Sequence, residues 1–215
     1  MKNSRLILST AYLPPIEYWA TIMQHSEVFI EAHENYQKQS YRNRCRILGP
    51  NGVQDLNIPI AKSGELKTPI QKVKIFDDGL WQKNHWKSIE TAYNSSPFFL
   101  YYADYFESLF KQKPSCLFEF NKGIIESVFE ILELNQKLHI TESYIKHYED
   151  ATDLRDSIHP KKETDFLQKC KSAPYIQVFS ERHGFAPNLS ILDLIFNLGP
   201  EAEEYLTGFD TIHEG

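Results

Sequence analysis

The sequence predicts an α/β fold, with a single domain built on a mostly parallel sheet, an inserted β-hairpin and a helical middle region. Two short apolar runs near the N-terminus flank a helical pattern, which is typical of a right-handed βαβ unit and a parallel sheet. Asn51-Gly52 between two apolar runs indicates a hairpin. Residues 80–134 carry successive helical patterns, which predict a helical region after the hairpin.

The N-terminal segment is expected to form a strand, a turn, a helix and a second strand. Leu6–Leu8 is a continuous apolar run, as expected for a strand buried on both faces. Pro14 and Pro15 end that strand, and proline tolerates the first turn of a helix. Glu27–Ile30 is the second predicted strand. The helix between the strands is predicted from apolar residues at i, i+3, i+4 and i+7: Ile16, Trp19, Ala20 and Met23.

The next segment is predicted to contain the hairpin and two loops. Residues 33–44 are polar without a useful period and are interpreted as a loop. The hairpin strands are predicted at 45–48 and 53–60, on either side of the Pro50-Asn51-Gly52 turn. A second loop is predicted at 62–68, followed by another strand at 73–76.

Three helices are predicted at 80–93, 98–110 and 117–134. Asn94-Ser95-Ser96-Pro97 separates the first two helices, and Pro97 is expected in the first turn of the second. The acidic residues of the third helix are expected to face solvent: Glu119, Glu126, Glu130 and Glu133.

The last third of the chain is predicted to add short strands and two helices. Strands are predicted at 144–148 and 175–179, with a charged loop at 152–164. Ser190 and Asp193 form an acidic version of a capping box, and Gly199-Pro200 ends that helix and starts another through Leu206. The predicted core contains Leu6, Ile7, Leu8, Trp19, Val28, Phe29, Ile30, Ile89, Phe106, Val128, Leu192 and Phe196.

Composition restricts the classes of partner. The net charge of −6 argues against DNA or RNA as a main partner, because phosphate binding needs a basic surface. Cys45, Cys116 and Cys170 are far apart and form no CxxC pair, so neither a zinc site nor a disulfide frame is expected. No signal peptide and no membrane-spanning run is recognised, so a cytoplasmic protein is expected. We expect a small-molecule substrate and no cofactor, and the oligomeric state stays open.

The densest candidate site is the segment Tyr41-Arg42-Asn43-Arg44. Alternation places Arg42, Arg44 and Arg46 on one side of a strand, where they can clamp a phosphate or carboxylate. The alternative interpretation is a solvated edge strand whose charges block aggregation.

Single polar residues elsewhere complete the candidate site. Tyr12 lies in the turn after the first strand, where open α/β sheets bind ligands, although a polar capping turn is equally consistent. His85 is a candidate general base beside Lys83, against the alternative of a hydrogen-bonded structural histidine. His159 and Lys161 lie in a Pro-containing loop that could form a lid over an anion or remain a plain charged loop. Gln177 lies in an apolar run, where a polar side chain needs a partner: either a ligand or another loop.

Four stretches resemble the WbqC-like family along nearly the whole chain, and they imply one WbqC-like domain over residues 1–215. They are AYLPPIEYW (11–19), SEVFIEAHENYQKQSYRNRCRI (26–47), GLWQKNHWKSIETAYNSSPFFLYY (79–102) and YIQVFSERHGFAPNLSILDLIFNLGPEAEEYL (175–206). Ser9-Thr10 stands where the family commonly has Gln-Pro, and Glu17 replaces a glycine, so no role of those family residues is carried over. A further likeness to the nucleotidyltransferase α/β fold lacks its His-x-Gly-His signature, which argues against adenylyl transfer.

The residues and the resemblance together lead to three functional hypotheses. Family members occur among bacterial surface-polysaccharide genes, which suggests an acyl or aminoacyl (glycine) transferase of O-antigen synthesis acting on a nucleotide-sugar or activated amino acid. The second hypothesis is a non-catalytic nucleotide- or nucleotide-sugar-binding module on a degenerate nucleotidyltransferase-like fold. The third is a structural protein that dimerises through its aromatic helices.

Overall fold

A four-stranded parallel sheet forms the centre of the computed structural model, which describes residues 5–62, 64, 67–77, 79–162 and 164–209. The strands of this sheet are β1 (Arg5–Ser9), β2 (Glu27–Glu31), β5 (Lys137–Ile140) and β6 (Thr152–Asp153), in the order β5-β2-β1-β6. The remaining two strands, β3 (Arg44–Gly49) and β4 (Gly52–Asn57), form a separate antiparallel hairpin. The predicted α/β fold with a parallel sheet, an inserted hairpin and a helical middle region is confirmed.

The predicted βαβ unit is confirmed in both its elements and its register. Helix α1 (Ile16–Ile22) connects β1 to β2, which pair in parallel with Leu6 opposite Val28 and Leu8 opposite Ile30. These apolar residues are buried, and they share one face of the sheet because they alternate with Ile7 and Phe29. Glu17, at the start of α1, is also buried, and its carboxylate accepts a hydrogen bond from Asn188 Nδ2 at 3.1 Å.

The sheet is completed by two strands at other positions than predicted. Strand β5 pairs with β2, and the two-residue strand β6 pairs with β1, both in parallel. The predicted strand at 144–148 is wrong, because these residues form the loop between β5 and β6. The rings of Tyr144 and Tyr148 pack instead against the Arg155 guanidinium, with centroids at 5.0 and 5.2 Å.

The hairpin is confirmed, with Arg44 paired to Asn57 at one end and Gly49 to Gly52 at the turn. Gly52 has φ +102°, a conformation that favours glycine. The predicted strand at 73–76 is wrong, because this segment makes only isolated bridges from Lys74 and Ile75.

Three helices follow the hairpin: α2 (Trp81–Tyr93), α3 (Phe99–Lys111) and α4 (Leu117–Ile131). Pro97 precedes α3 and is not in its first turn, which corrects the prediction. Helix α4 ends earlier than predicted in a Schellman motif, because Glu133 has φ +49° and Leu134 N–H donates to the Phe129 carbonyl. The glutamates of α4 predicted to face solvent are exposed.

The C-terminal region consists of short helices: α5 (Asp165–Ser172), α6 (Ser180–His183), α7 (Ile191–Leu198) and α8 (Ala202–Thr207). The predicted strand at 175–179 is wrong, since these residues form irregular backbone and a turn before α6. Ser190 caps α7 by accepting from the Leu192 N–H, but the Asp193 side chain turns away from the cap. The predicted capping box is therefore only half formed.

The core is continuous between the sheet, the hairpin and the helices. All the predicted core residues are buried except Phe29, which is partly exposed. The ring of Phe29 lies on the open face of the sheet and stacks on His139 at a centroid distance of 4.8 Å. Within the described residues, none of the helices combines the length and apolarity that crossing a bilayer requires.

Two glycines with positive φ differ in how closely the core packs around them. Gly199 has φ +55°, and a Cβ placed there would lie 2.5 Å from the Phe98 ring. Gly184 has φ +75° with no atom within 4 Å of such a Cβ. We expect Gly184→Ala to cost about 1–3 kcal/mol from backbone strain alone. Gly199→Ala should lose about 1–3 kcal/mol more, because the methyl group must displace the ring. Urea unfolding measures both, and equal losses would contradict the predicted contact.

Candidate functional site

The carboxyl edge of the parallel sheet gathers four loops in one place. Because the strands run in the same direction, the segments that follow β1, β2, β5 and β6 all leave from this edge. Ligands of open α/β sheets bind outside this edge. The loops 10–15, 32–43 and 154–162 carry most of the residues that the sequence indicated as a site.

A buried ion pair lies within the loop after β2, at residues 32–43. The Arg42 guanidinium donates from Nε to Glu34 Oε1 at 2.9 Å and from Nη2 to Glu34 Oε2. The same Nη2 donates to Ser9 Oγ at 2.7 Å, and Ser9 Oγ donates to the Arg155 carbonyl at 2.6 Å. The side chains of Arg42 and Glu34 are only 3% and 6% exposed. Arg42 therefore holds the loop after β2 against the ends of β1 and β6.

A second buried ion pair lies beside the first. Arg155 Nη1 donates to Glu31 Oε2 at 2.9 Å, and its Nε donates to Asp153 Oδ1 at 2.8 Å. The other Glu31 oxygen accepts from Thr141 Oγ1 at 2.8 Å. Hydrogen bonding to Asp153 raises the pKa of the Arg155 guanidinium. This pair connects the end of β2 to the loops after β5 and β6.

The three arginines expected on one side of a strand are divided in the structure. Arg42 precedes β3 and points into the interior, where Glu34 neutralises it. Arg44 and Arg46 lie on β3, and both approach Asp55 on the opposite strand, at 3.9 and 3.2 Å. Arg46 is thus part of an exposed ion pair, whereas Arg44 is 20% exposed and has a buried Nε without a hydrogen-bond partner.

A group of basic residues lies on the outer side of the buried pairs, and we call His159, Lys161, Lys162 and Arg44 the basic edge cluster. Desolvation lowers the pKa of His159, and the positive charges of Lys162, Arg42, Lys161 and Arg44 lower it further. Lys161 Nζ donates to Gln39 Oε1, and Lys162 Nζ donates to the Asp156 carbonyl. His159 and Lys161 lie in the same loop, and Arg44 is close enough to lower the pKa of His159.

A cleft next to this cluster is lined by lysines. Its volume is about 1700 Å³, which includes the solvent-filled space at its open mouth. We call it the lysine cleft. Its described lining residues are Tyr36, Lys38, Asn43, Ile60, Ala61, Lys62, Gly64, Thr68, Lys72, Val73 and Lys74. Asn43, which the sequence indicated as a binding residue, therefore lies between the buried pair of Arg42 and the wall of this cleft.

Tyr12 and His85 are brought together, but in the interior. The Tyr12 hydroxyl and His85 Nδ1 are 2.8 Å apart, and the exposed fractions of these residues are 0% and 7%. Trp81 and Phe120 pack against these rings. Burial raises the pKa of the Tyr12 hydroxyl well above its ordinary value. Lys83 is on the same helix as His85 but is exposed.

Gln177 lies in a different buried polar group. Its Nε2 donates to Asp193 Oδ2 at 2.8 Å and to the Ala186 carbonyl at 2.9 Å, and its Oε1 accepts from Ala186 N–H. Tyr175 Oη also donates to Asp193, whose pKa is raised by burial to about 6. Gln177 thus joins the irregular segment before α6 to two other parts of the chain. Its partners are Asp193 on α7 and the loop that contains Ala186.

The sequence interpretation missed the acidic residues and the lysines of this region. Glu31 directly follows the predicted buried strand Glu27–Ile30, and a buried carboxylate there needs a cation, which was an available signal. The cleft lysines come from separate segments of the chain, so no local motif announces them. Among the described residues, no group of three His, Cys, Asp or Glu side chains is arranged to hold a metal ion.

The two classes of arginine should differ in their contribution to stability. Arg42→Ala leaves the Glu34 carboxylate buried without its cation, and we expect a loss of about 3–5 kcal/mol. Arg46→Ala removes a partner from an ion pair that is 37% exposed on both sides, and should cost less than about 1 kcal/mol. Urea unfolding measures both variants. Similar small losses would show that Arg42 is not held in the interior.

The basic edge cluster should be visible in the titration of His159. We expect an NMR midpoint below the ordinary value of 6.5, and Lys162→Gln should raise it by removing a positive charge. Between that midpoint and 6.5 the unfolded chain binds more protons, so stability should rise with pH across this window and level off above it. Lys87→Gln is the control and should leave the midpoint unchanged. A midpoint at or above 6.5 would contradict the cluster.

Comparisons with known proteins identify a family and give no activity. The model of the WbqC-like protein family matches residues 10–177. The uncharacterized protein Rv1507c of Mycobacterium tuberculosis is 25% identical over 222 residues, covering 93% of this chain and 96% of that protein. No solved structure matches the chain significantly. Because the family model covers most of the sequence, including the loops of the carboxyl edge, the chain belongs to the WbqC-like protein family.

Proposed function

We propose that the protein is a transferase that moves an acyl or aminoacyl group from an activated donor to a sugar nucleotide in surface-polysaccharide synthesis. The observation that carries this proposal is the position of His159 among the cations of the basic edge cluster. A general base must be neutral near pH 7 and must lie beside the bound substrate. The same positive charges that keep His159 neutral attract an anionic substrate to it.

The proposed reaction uses the position of His159 within the basic edge cluster. The acceptor hydroxyl or amine attacks the acyl carbonyl carbon, and a new C–O or C–N bond forms as the bond to the leaving group breaks. His159 takes the proton from the attacking group. Lys161 and Arg44 hold the anionic part of the substrate, and its negative charge raises the pKa of His159 as binding proceeds. The bound complex is therefore a stronger base than the free protein.

The other residues indicated by the sequence have a supporting position in this proposal. Arg42 orders the loop through Glu34, so its role is to position its neighbours. Tyr12 and His85 are hydrogen-bonded to each other in the interior, and in this proposal they take no direct part in the reaction. Lys83 and Gln177 lie outside the three loops of the carboxyl edge at 10–15, 32–43 and 154–162.

A second candidate function is non-catalytic binding of a nucleotide or nucleotide-sugar. The observation that favours it is the pairing of the buried charges at the edge: Glu34 with Arg42, and Glu31 with Arg155. Groups that exchange protons in catalysis usually have strongly shifted pKa values and are not held in ion pairs. At this edge the buried acids and bases are paired with each other, which leaves His159 as the one candidate base in the basic edge cluster. Binding without turnover separates this candidate from the transferase.

A paired assay of binding and transfer tests the proposal. Nucleotide-sugars are first screened by thermal shift, and the hits are incubated with acyl thioesters and glycyl adenylate, with mass spectrometry of the products. His159→Asn should reduce transfer by about 100-fold or more while binding persists. Arg44→Gln should weaken binding of the same nucleotide-sugar.

The matched control is His147→Asn, since His147 is an exposed histidine of the loop after β5. It should leave both binding and transfer at wild-type levels. Transfer that survives in His159→Asn would exclude His159 as the base. Binding of a nucleotide-sugar without any transferred group would favour the non-catalytic candidate.

A further inference from the structure

The charge of the lysine cleft runs against that of the protein. The chain has a net charge of −6, yet four lysines and no carboxylate are among the described residues that line the cleft. No described carboxylate forms an ion pair with Lys38, Lys62, Lys72 or Lys74. A concave surface with one sign of charge concentrates ions of the opposite sign. The cleft therefore favours a ligand with more than one negative charge.

The walls of the cleft are held by backbone hydrogen bonds. Tyr36 N–H donates to the Thr68 carbonyl at 2.8 Å, which ties the loop after β2 to the segment after the hairpin. Ala61 N–H donates to the Lys74 carbonyl at 2.9 Å on the other side. The lysine side chains thus extend from a backbone whose shape is set by the fold.

Asn43 lines the cleft and has a buried hydrogen-bond acceptor without a partner. Its Nδ2 donates to the Ile58 carbonyl at 2.9 Å, which orients the amide. Its Oδ1 is buried and has no hydrogen-bond partner, while the residue as a whole is only 9% exposed. A buried acceptor without a partner is costly, and a ligand donor would remove that cost. This oxygen points to a hydroxyl or an N–H group on the ligand.

Tyr36 supplies an aromatic surface on the same cleft. Its ring is half-buried against the core, and burial raises the pKa of its hydroxyl. The positive charges of Arg44 and Arg42 oppose that rise in pKa. Aromatic side chains in such positions stack on the flat rings of nucleobases.

These features together lead us to infer that the lysine cleft is the binding site for the nucleoside diphosphate part of a nucleotide-sugar. The lysines hold the diphosphate, Tyr36 stacks on the base, and Asn43 Oδ1 accepts from a ribose hydroxyl or a base N–H. This inference deepens the proposed function and rests on it for the sugar-bearing ligand. Lys38 lies next to Gln39, which Lys161 contacts, so a sugar leaving the cleft on this side reaches the basic edge cluster.

Calorimetric titration of the full chain with ADP, CDP, GDP and UDP, and with pyrophosphate, tests the inference. At least one nucleoside diphosphate should bind more tightly than pyrophosphate, and added salt should weaken it. The double variant Lys72→Gln/Lys74→Gln should weaken it by about 10-fold or more. Lys87→Gln/Lys113→Gln makes the same change in net charge outside the lining residues of the cleft and should have no such effect.

The aromatic contact is tested separately with Tyr36. Tyr36→Phe keeps the ring and should retain binding, whereas Tyr36→Leu should weaken the nucleoside diphosphate by about 5-fold or more and leave pyrophosphate unchanged. If Tyr36→Leu is poorly folded, the comparison of nucleoside diphosphates with pyrophosphate on the lysine variants decides instead.

The outcomes separate this inference from the proposed function. Binding that is unaffected by Lys72→Gln/Lys74→Gln, or that fails for every nucleoside diphosphate, overturns the cleft assignment. Equal affinity for pyrophosphate overturns the nucleoside part. His159→Asn should keep nucleoside diphosphate binding, so loss of transfer alone bears on the transferase and leaves the cleft in place.

Discussion

Two buried ion pairs, Arg42 with Glu34 and Arg155 with Glu31, determine how the loops of the carboxyl edge are arranged. The Arg42–Glu34 pair lies within the loop after β2 and is linked to Ser9 at the end of β1 by a further hydrogen bond. The Arg155–Glu31 pair joins segments that are far apart in the chain. Removing either member would leave an uncompensated ion in the interior. The conformation of the loop that contains His159 and Lys161 therefore depends on buried ion pairs, which solvent and salt screen little.

The division between buried and surface charges shapes the chemistry of this edge. Arg42 is close enough to lower the pKa of His159, although Glu34 neutralises much of its charge. The lysines of the cleft and the basic edge cluster add positive charge that is not paired in this way among the described residues. An acidic protein thus presents a basic region at the edge where α/β sheets bind ligands. Long-range repulsion of anions by the rest of the chain is limited, because salt screens charges beyond about 8–10 Å.

Local patterns allowed much of the fold to be predicted. The βαβ unit, the hairpin turn and the helices of the middle region were recognisable because their apolar residues repeat with the period of the element. Strand β6 has two residues and β5 has four, which is too short for a period to be recognised. The predictions of strands at 144–148 and 175–179 were wrong for the opposite reason, because their aromatic residues are typical of strands but have other roles. Tyr144 and Tyr148 pack on the Arg155 guanidinium, and the Tyr175 hydroxyl donates to Asp193.

For the site, composition and spacing identified the residue types but could not pair them. The sequence alone located His159, Lys161 and Arg44 as candidates and identified the family, because these features are carried by local segments. It could not distinguish the buried Arg42 from the exposed Arg46, which are the same residue type on a short basic segment. Only the tertiary structure decided this, because the degree of desolvation depends on what covers each arginine: Arg42 is covered at the end of β1, where it bonds to Ser9, whereas Arg46 is on the exposed side of the hairpin. The lysine cleft likewise exists only once the fold brings its separate segments together.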